Sequence, residues 1–331
     1  MFRVIQWATG AVGKQAARMV HAHPEMTLVG GYVTSESKVG KDLGELIGVD
    51  PIGVVATDDI EEICALDADC VIHAPLPAAR VGDDPDLDTR IICRLLESGK
   101  NVITTVGYIN PKVYGADVLG RIEAACAAGS SSLHGTGLHP GIIAEVIPLT
   151  LSPVNSHIDR VIVTEAEDWS AYPSPQIVFE MMNMAKYPDE FAASVTRTRR
   201  WMDGLFGEAI HLIADGLGAQ LDRIDSSVAA QRFRWEGIID GEARIVQDCV
   251  YRAAPFVAPD WGPANGVDVR IEGRPGMHVH IGHEVFAKGL TATAAHAVHA
   301  VPAVVRADPG VRTFLDLPLI TARHSMGRRR G

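Results

Sequence analysis

Apolar residues in the first part of the chain fall into short runs of strand composition, each followed by a stretch of helical character. Phe2 to Trp7 is the first such run. It is broken at once by small residues, and Lys14-Gln15-Ala16-Ala17-Arg18-Met19-Val20 then reads as a helix. Met26 to Val33, Asp69 to Pro75, Asn101 to Val106 and Ser131 to Leu138 are further predicted strands, with helices over Arg90–Gly99 and about Asp117–Ala128 between them. This alternation predicts a parallel sheet covered by helices. The loop Gly135-Thr136-Gly137-Leu138-His139-Pro140-Gly141 ends the pattern and is expected both to meet ligand with its backbone and to cross from one domain to the next.

Beyond it the pattern is mixed. Ile158 to Asp168 alternates with period 2, which puts Val161, Val163, Glu165 and Glu167 on one face running from core into a cavity. Helical stretches are predicted over 176–186, 189–205 and 207–217. Strands follow over 227–238 and 243–253, joined at Asp240-Gly241, a strong hairpin signal. A last hairpin is expected between 266–272 and 277–286, then a small-residue helix over 291–301 that stops at Pro302.

The first strand-to-helix turn carries chemistry. Ala8, Gly10 and Gly13 occupy the three small positions of a G-x-G-x-x-G fingerprint, so Ala8, Thr9, Gly10, Ala11, Val12 and Gly13 are predicted to cradle a dinucleotide pyrophosphate at the helix N-terminus. The second strand ends in Thr34-Ser35-Glu36-Ser37-Lys38, and hydroxyls with a lysine suit a ribose 2′-phosphate. Thr34, Ser35, Ser37 and Lys38 therefore favour NADP, while Glu36 would favour NAD. Ligands of open parallel sheets lie beyond the strand C-termini, which places His73-Ala74-Pro75 and Gly107 on the cofactor's border.

The 331 residues, 47% apolar, suffice for two domains with substantial cores. A net charge of −11 argues against nonspecific binding to nucleic acid or anionic membranes, and no run is long enough to cross a bilayer, so the chain reads as cytoplasmic. Five scattered cysteines fit buried reduced thiols. His278, His280 and His283 raise a metal site, but no acidic or Cys partner stands at ligand spacing, and no metal is expected.

Separated stretches, Val4 to Lys14, Gly40 to Leu46, Gly135 to Gly141 and Thr293 to Pro302, together resemble the dihydrodipicolinate reductase-like oxidoreductases, in the branch of 2,4-diaminopentanoate dehydrogenase and the native amine dehydrogenases. The resemblance implies an α/β fold in which an N-terminal Rossmann domain with a doubly wound parallel sheet is interrupted by a mixed α+β domain, the C-terminal helix returning to the first. Residues 1–141 with 290–331 would bind the dinucleotide, and 142–289 would bind substrate and dimerise. It further implies NAD(P)H and hydride transfer at a carbon bonded to nitrogen, with ammonia as co-substrate, and a dimer or tetramer built through the second domain's sheet, of which the homodimer is expected. Two departures bear on the chemistry. The strand beginning at Glu165 lacks the histidine pair and lysine of dihydrodipicolinate reductase, which excludes that reaction, and Gly107-Tyr108 stands where many amine dehydrogenases of the group have a catalytic glutamate.

Reduction at C=N needs a carboxylate beside the cationic iminium and walls that exclude water. Glu165, Glu167 or Glu145 could supply the charge, and Trp169, Tyr172, Phe179, Met181 and Met182 the lining. A carbonyl reductase would instead use Tyr108 or His139 as the acid. A non-catalytic NADP sensor would keep the glycine turn and lack turnover.

Overall fold

Strand β1, Phe2–Trp7, sends alternate side chains into two different cores. Val4 meets Ala16, Ala17 and Val20 of α1 (Ala11–Ala22), while Ile5 and Trp7 lie with Ile92, Leu95 and Leu96 of a helix on the opposite face. A strand covered on both faces reads as a near-continuous apolar run, which Phe2, Val4, Ile5 and Trp7 supply here. The computed structural model describes residues 1–78, 84–170, 175–184, 186–187, 189–191, 196–229, 231–253 and 265–326. The chain divides into two compact units, Met1–Leu138 with Gly289–Gly331, and His139–Lys288.

The first unit is a doubly wound parallel sheet. To β1 are added β2 (Met26–Tyr32), β3 (Ala56–Thr57), β4 (Cys70–His73), β5 (Asn101–Thr104), β6 (Ser132–Gly135) and a short β13 (Gly310–Val311), in the order β13-β6-β5-β4-β1-β2-β3. Helices α2 (Leu43–Ile47) and α3 (Ile60–Ala65) begin at Asp42 and Asp59, whose carboxylates accept the N–H of Gly44 and Glu61. Helices α4 (Leu87–Glu97) and α5 (Ala116–Gly129) cover one face.

The second unit contains α6 (Val146–Leu151), α7 (Thr196–Gly216) and α8 (Glu284–Ala287) with a six-stranded sheet, and the chain then returns to the first unit through α9 (Gly289–Val305). Its strands are β7 (His157–Asp168), β8 (Arg223–Ala229), β9 (Arg232–Ile239), β10 (Glu242–Arg252), β11 (Gly266–Arg274) and β12 (Met277–Gly282), in the order β12-β11-β7-β10-β9-β8. β7 is central, parallel to β10 and antiparallel to β11. Val161 and Val163 are buried, and so are Glu165 and Glu167 further along the same face.

Three expectations are corrected. The break expected near Gly207 does not exist, because α7 runs through it, and a Cβ there would meet nothing within 4 Å. The strand expected over 227–238 is the hairpin β8–β9, with Ala229 opposite Arg232, and no Gly or Pro advertises its turn. Pro302 lies inside α9, which continues because Ala297, Val298, Ala300, Val301 and Val304 are buried against the sheet and α1. At Asp240-Gly241 both residues have positive φ, 53° and 76°, the geometry a two-residue hairpin turn requires. Among the described residues no helix is long and apolar enough to cross a membrane.

Burial leaves three histidines of the first unit uncharged. His73 and His296 are pushed down to about 3 and His134 to about 4, in each case chiefly because their sites exclude water. The unfolded chain binds protons near pH 6.5 and the folded unit resists them. Stability is therefore expected to fall as pH drops from 6.5 toward 4, by on the order of 1 kcal/mol per histidine per pH unit. Thermal midpoints between pH 7.5 and 5 check this, and His134→Asn, which cannot titrate, should flatten the slope.

Candidate active site

The turn after β1 is held from beneath. Gln6, fully buried between the apolar Ile5 and Trp7 of β1, donates its side-chain N–H groups to the carbonyls of Trp7 (3.1 Å), Ala8 (3.0 Å) and Ile72 (3.2 Å). A Cβ on Gly13 would stand 2.1 Å from the Ala8 carbonyl oxygen, so only glycine lets α1 approach the turn. A Cβ on Gly10 would meet nothing within 4 Å, which leaves the face at the helix N-terminus open. Ala8 has φ 67°, a left-handed conformation that costs a side-chain-bearing residue about 1–2 kcal/mol. Ala8→Gly is expected to leave the thermal midpoint unchanged or raise it, since released strain offsets the entropy of glycine.

At the end of β2, Thr34, Ser35, Glu36 and Ser37 are exposed, and the Ser35 and Ser37 hydroxyls lie 2.9 Å apart. Lys38 folds back, its Nζ donating to the Thr9 hydroxyl (3.1 Å) and carbonyl (3.3 Å). The His73 side chain does not border the open face as expected. It is buried, with Nδ1 3.0 Å from the Thr104 hydroxyl, so only Ala74, Pro75 and the local backbone stand at the strand end. Gly107 and Tyr108 have φ 112° and 61°, a sharp left-handed turn after β5. The Tyr108 hydroxyl is 2.9 Å from that of Thr89. A side chain at Gly107 would be strained by the backbone itself.

The second unit holds a buried polar chain. His139 Nδ1 is 2.5 Å from Glu165 Oε2, and the Tyr251 hydroxyl donates to the same oxygen at 3.0 Å. The His139 and Glu165 side chains are only 2% and 6% exposed, so the pair is shielded from water. β10 runs parallel to β7 with Cys249 opposite Glu165, which brings Tyr251 and Cys249 to this carboxylate. Ligand atoms of His139, Glu165 and Cys249 lie within 4.8 Å of one another, a spacing a metal could use. The 2.5 Å contact joins histidine and carboxylate directly, and burial, followed by the charge of Glu165, raises the Cys249 thiol well above its ordinary value. Glu167 is raised to about 8, first by burial and then by the charges of Glu165 and Asp168, and His283 Nδ1 is 3.5 Å from its Oε1.

The expected lining is dispersed. Trp169 packs on the Tyr251 ring at 5.2 Å, Met182 is buried in the unit's core, Phe179 is 52% exposed, and Tyr172 lies outside the described residues. His278 and His280 do have an acidic partner, contrary to expectation. Asp268 of β11 faces them across the hairpin, its Oδ1 2.5 Å from His278 Nε2. Gln6, Tyr251 and Cys249 were not anticipated. Gln6 alone left a signal, an amide in an apolar strand beside a glycine turn. A cleft of about 470 Å³ between α1, α9 and the C-terminal segment lies near the start of β2, away from the glycine turn.

A glycine turn at a helix N-terminus on a doubly wound sheet, with a second unit carrying a buried carboxylate–histidine pair, defines a Rossmann-type oxidoreductase. Residues 4–81 match the family of the dihydrodipicolinate reductase N-terminus, and residues 227–330 that of the 2,4-diaminopentanoate dehydrogenase C-terminal domain. The chain is 33% identical to an amine dehydrogenase of Streptomyces virginiae over 99% of each chain, and 24% identical to 2,4-diaminopentanoate dehydrogenase of Acetoanaerobium sticklandii over 68% of each. A solved amine dehydrogenase structure from Mycobacterium smegmatis has the same fold, with a TM-score of 0.77 at 21% identity over 97% of each chain. The likeness to 4-hydroxy-tetrahydrodipicolinate reductase of Gloeobacter violaceus, 38% identity, covers only 19% of this chain. The chain belongs to the amine dehydrogenase family and is a nicotinamide-dependent oxidoreductase.

Proposed function

We propose that this enzyme aminates small aldehydes or ketones reductively, with ammonia and NADPH. The observation that carries the reading is the shielded His139–Glu165–Tyr251 chain. Glu165 supplies negative charge for a cationic iminium, and His139, bonded to it at Nδ1, moves protons during loss of water from the carbinolamine. The dinucleotide, when bound, supplies the hydride. Thr9 to Gly13 hold its pyrophosphate at the α1 N-terminus, Ala74, Pro75 and Gly107 stand along its edge, and Tyr108 forms a wall there with its hydroxyl tied to Thr89.

Preference for NADP rests on Ser35, Ser37 and Lys38, which can exchange their present mutual bonds for a 2′-phosphate. Residues 142–289 are proposed to bind substrate and, through the sheet face that carries Arg232, Arg234 and Asp248, a second copy of the chain in the cytoplasm. The test is oxidation of NADPH and NADH with a panel of small carbonyl compounds, with and without ammonium. Consumption that requires ammonium and favours NADPH is expected. Equal consumption without ammonium would make the enzyme a carbonyl reductase, with Tyr108 or His139 as its acid. Lys38→Ala should raise the KM for NADPH about tenfold and leave that for NADH unchanged, an effect of about 1.4 kcal/mol.

A further inference from the structure

Three side chains of the second unit bring a nitrogen, an oxygen and a sulfur close together. His139, Glu165 and Cys249 each place a ligand atom within 4.8 Å of the other two, and all three side chains are shielded from water. The backbone fixes this arrangement. Cys249 stands opposite Glu165 in the parallel pairing of β10 with β7, so the two side chains lie side by side on one face of the sheet. The His139 ring is held edge-on against Phe206 of α7, with centroids 5.2 Å apart.

The donor set selects the ion. Calcium and magnesium are held by oxygens, not by thiols. Zinc accepts imidazole, carboxylate and thiolate alike, commonly through three protein donors with water in the fourth position. Charge points the same way. A divalent ion with one carboxylate and one thiolate sums to zero, whereas a monovalent cation would leave a net charge beside the apolar cluster to which Cys249 and Phe206 belong. One proton lies in the 2.5 Å contact between His139 Nδ1 and Glu165 Oε2, whichever of them carries it, since two lone pairs at that distance would repel. Zinc takes the place of that proton and of the Cys249 thiol proton, and the ligand atoms part to the spacing that bonds of about 2.0–2.3 Å require.

We propose that His139, Glu165 and Cys249 form a zinc site, and that zinc bound there takes the His139–Glu165 pair out of the reaction. Binding stands on the geometry alone. The loss of turnover rests on the reading above, in which that pair supplies charge and moves protons.

The test uses the full chain, freed of metal with a chelator, and zinc chloride or cobalt(II) chloride as the probe. Calorimetry is expected to show one equivalent of zinc bound, and cobalt(II) to give a near-ultraviolet thiolate-to-metal absorption band. Cys249→Ser and Cys249→Ala should both lose the band and weaken zinc binding by at least about 100-fold, more than the loss of an outer-shell partner costs. In turnover, stoichiometric zinc should inhibit the wild type, reversibly with a chelator, and leave both variants active. No zinc binding, equal affinity in wild type and variants, or bound cobalt without the sulfur band would overturn the site. An ion held instead by the exposed Asp268, His278 and His280 would give that last result. Zinc bound through Cys249 with turnover unchanged would uphold the site and remove His139 and Glu165 from the reaction.

Discussion

Glu165→Gln is expected to lower the turnover number for amine formation by ~10²–10⁴-fold while cofactor affinity stays at the wild-type value. The amide is nearly isosteric and can still accept from the Tyr251 hydroxyl at the present 3.0 Å. What it loses is the charge that His139 Nδ1 now meets at 2.5 Å in a shielded setting, where electrostatic interactions are strongest. The thermal midpoint should move little, and NADPH dissociation, read by fluorescence, should not move at all, since the dinucleotide turn belongs to the other unit. Wild-type turnover in the variant would assign Glu165 to structure alone.

Gly13→Ala is expected to disrupt the dinucleotide turn and destabilise the first unit. Its Cβ would stand 2.1 Å from the Ala8 carbonyl oxygen and 2.9 Å from Gln6 Nε2, so α1 must move off the turn or the Gln6 clamp must open. Such overpacking costs ~1–3 kcal/mol of stability. A displaced turn should raise the dinucleotide dissociation constant by roughly 10–100-fold, the equivalent of ~1.4–2.8 kcal/mol. Gly10→Ala is the matched control, because its Cβ meets nothing within 4 Å in the protein. It should fold at the wild-type midpoint and lose cofactor affinity only, through contact with the ligand.

What could be read from the chain alone followed from how local each signal is. β1, the glycine turn and α1 depend on adjacent residues, and the expected strand Phe2–Trp7 has those bounds in the structure. The face carrying Val161, Val163, Glu165 and Glu167 needs only the two-residue period of a strand. Partners of those carboxylates could not be read the same way. Tyr251 and Cys249 reach Glu165 through a β10–β7 pairing between residues more than eighty positions apart, and no local pattern sets that register. Asp268 was missed beside His278 for a different reason, since the hairpin was expected but linear spacing does not show which residues its register sets face to face.

Helix boundaries failed where burial overrode local preference. Gly207 and Pro302 both disfavour helix, yet the apolar faces of α7 and α9 are packed against sheets, and packing contributes more than the ~1–3 kcal/mol either residue costs. At Ala8 the sequence showed a departure from the glycine pattern, and the structure gives its physical content, a φ of 67° maintained by the Gln6 clamp.

Ammonium-dependent hydride transfer is most directly tested by product analysis. NADPH deuterated on the transferred face, ¹⁵N-ammonium and a small aliphatic ketone are incubated with the wild-type enzyme, and the product is examined by mass spectrometry. An amine carrying one deuterium on the former carbonyl carbon and ¹⁵N beside it is the expected result, strongly diminished in Glu165→Gln. A deuterated alcohol as the product, at a rate indifferent to ammonium, would contradict it.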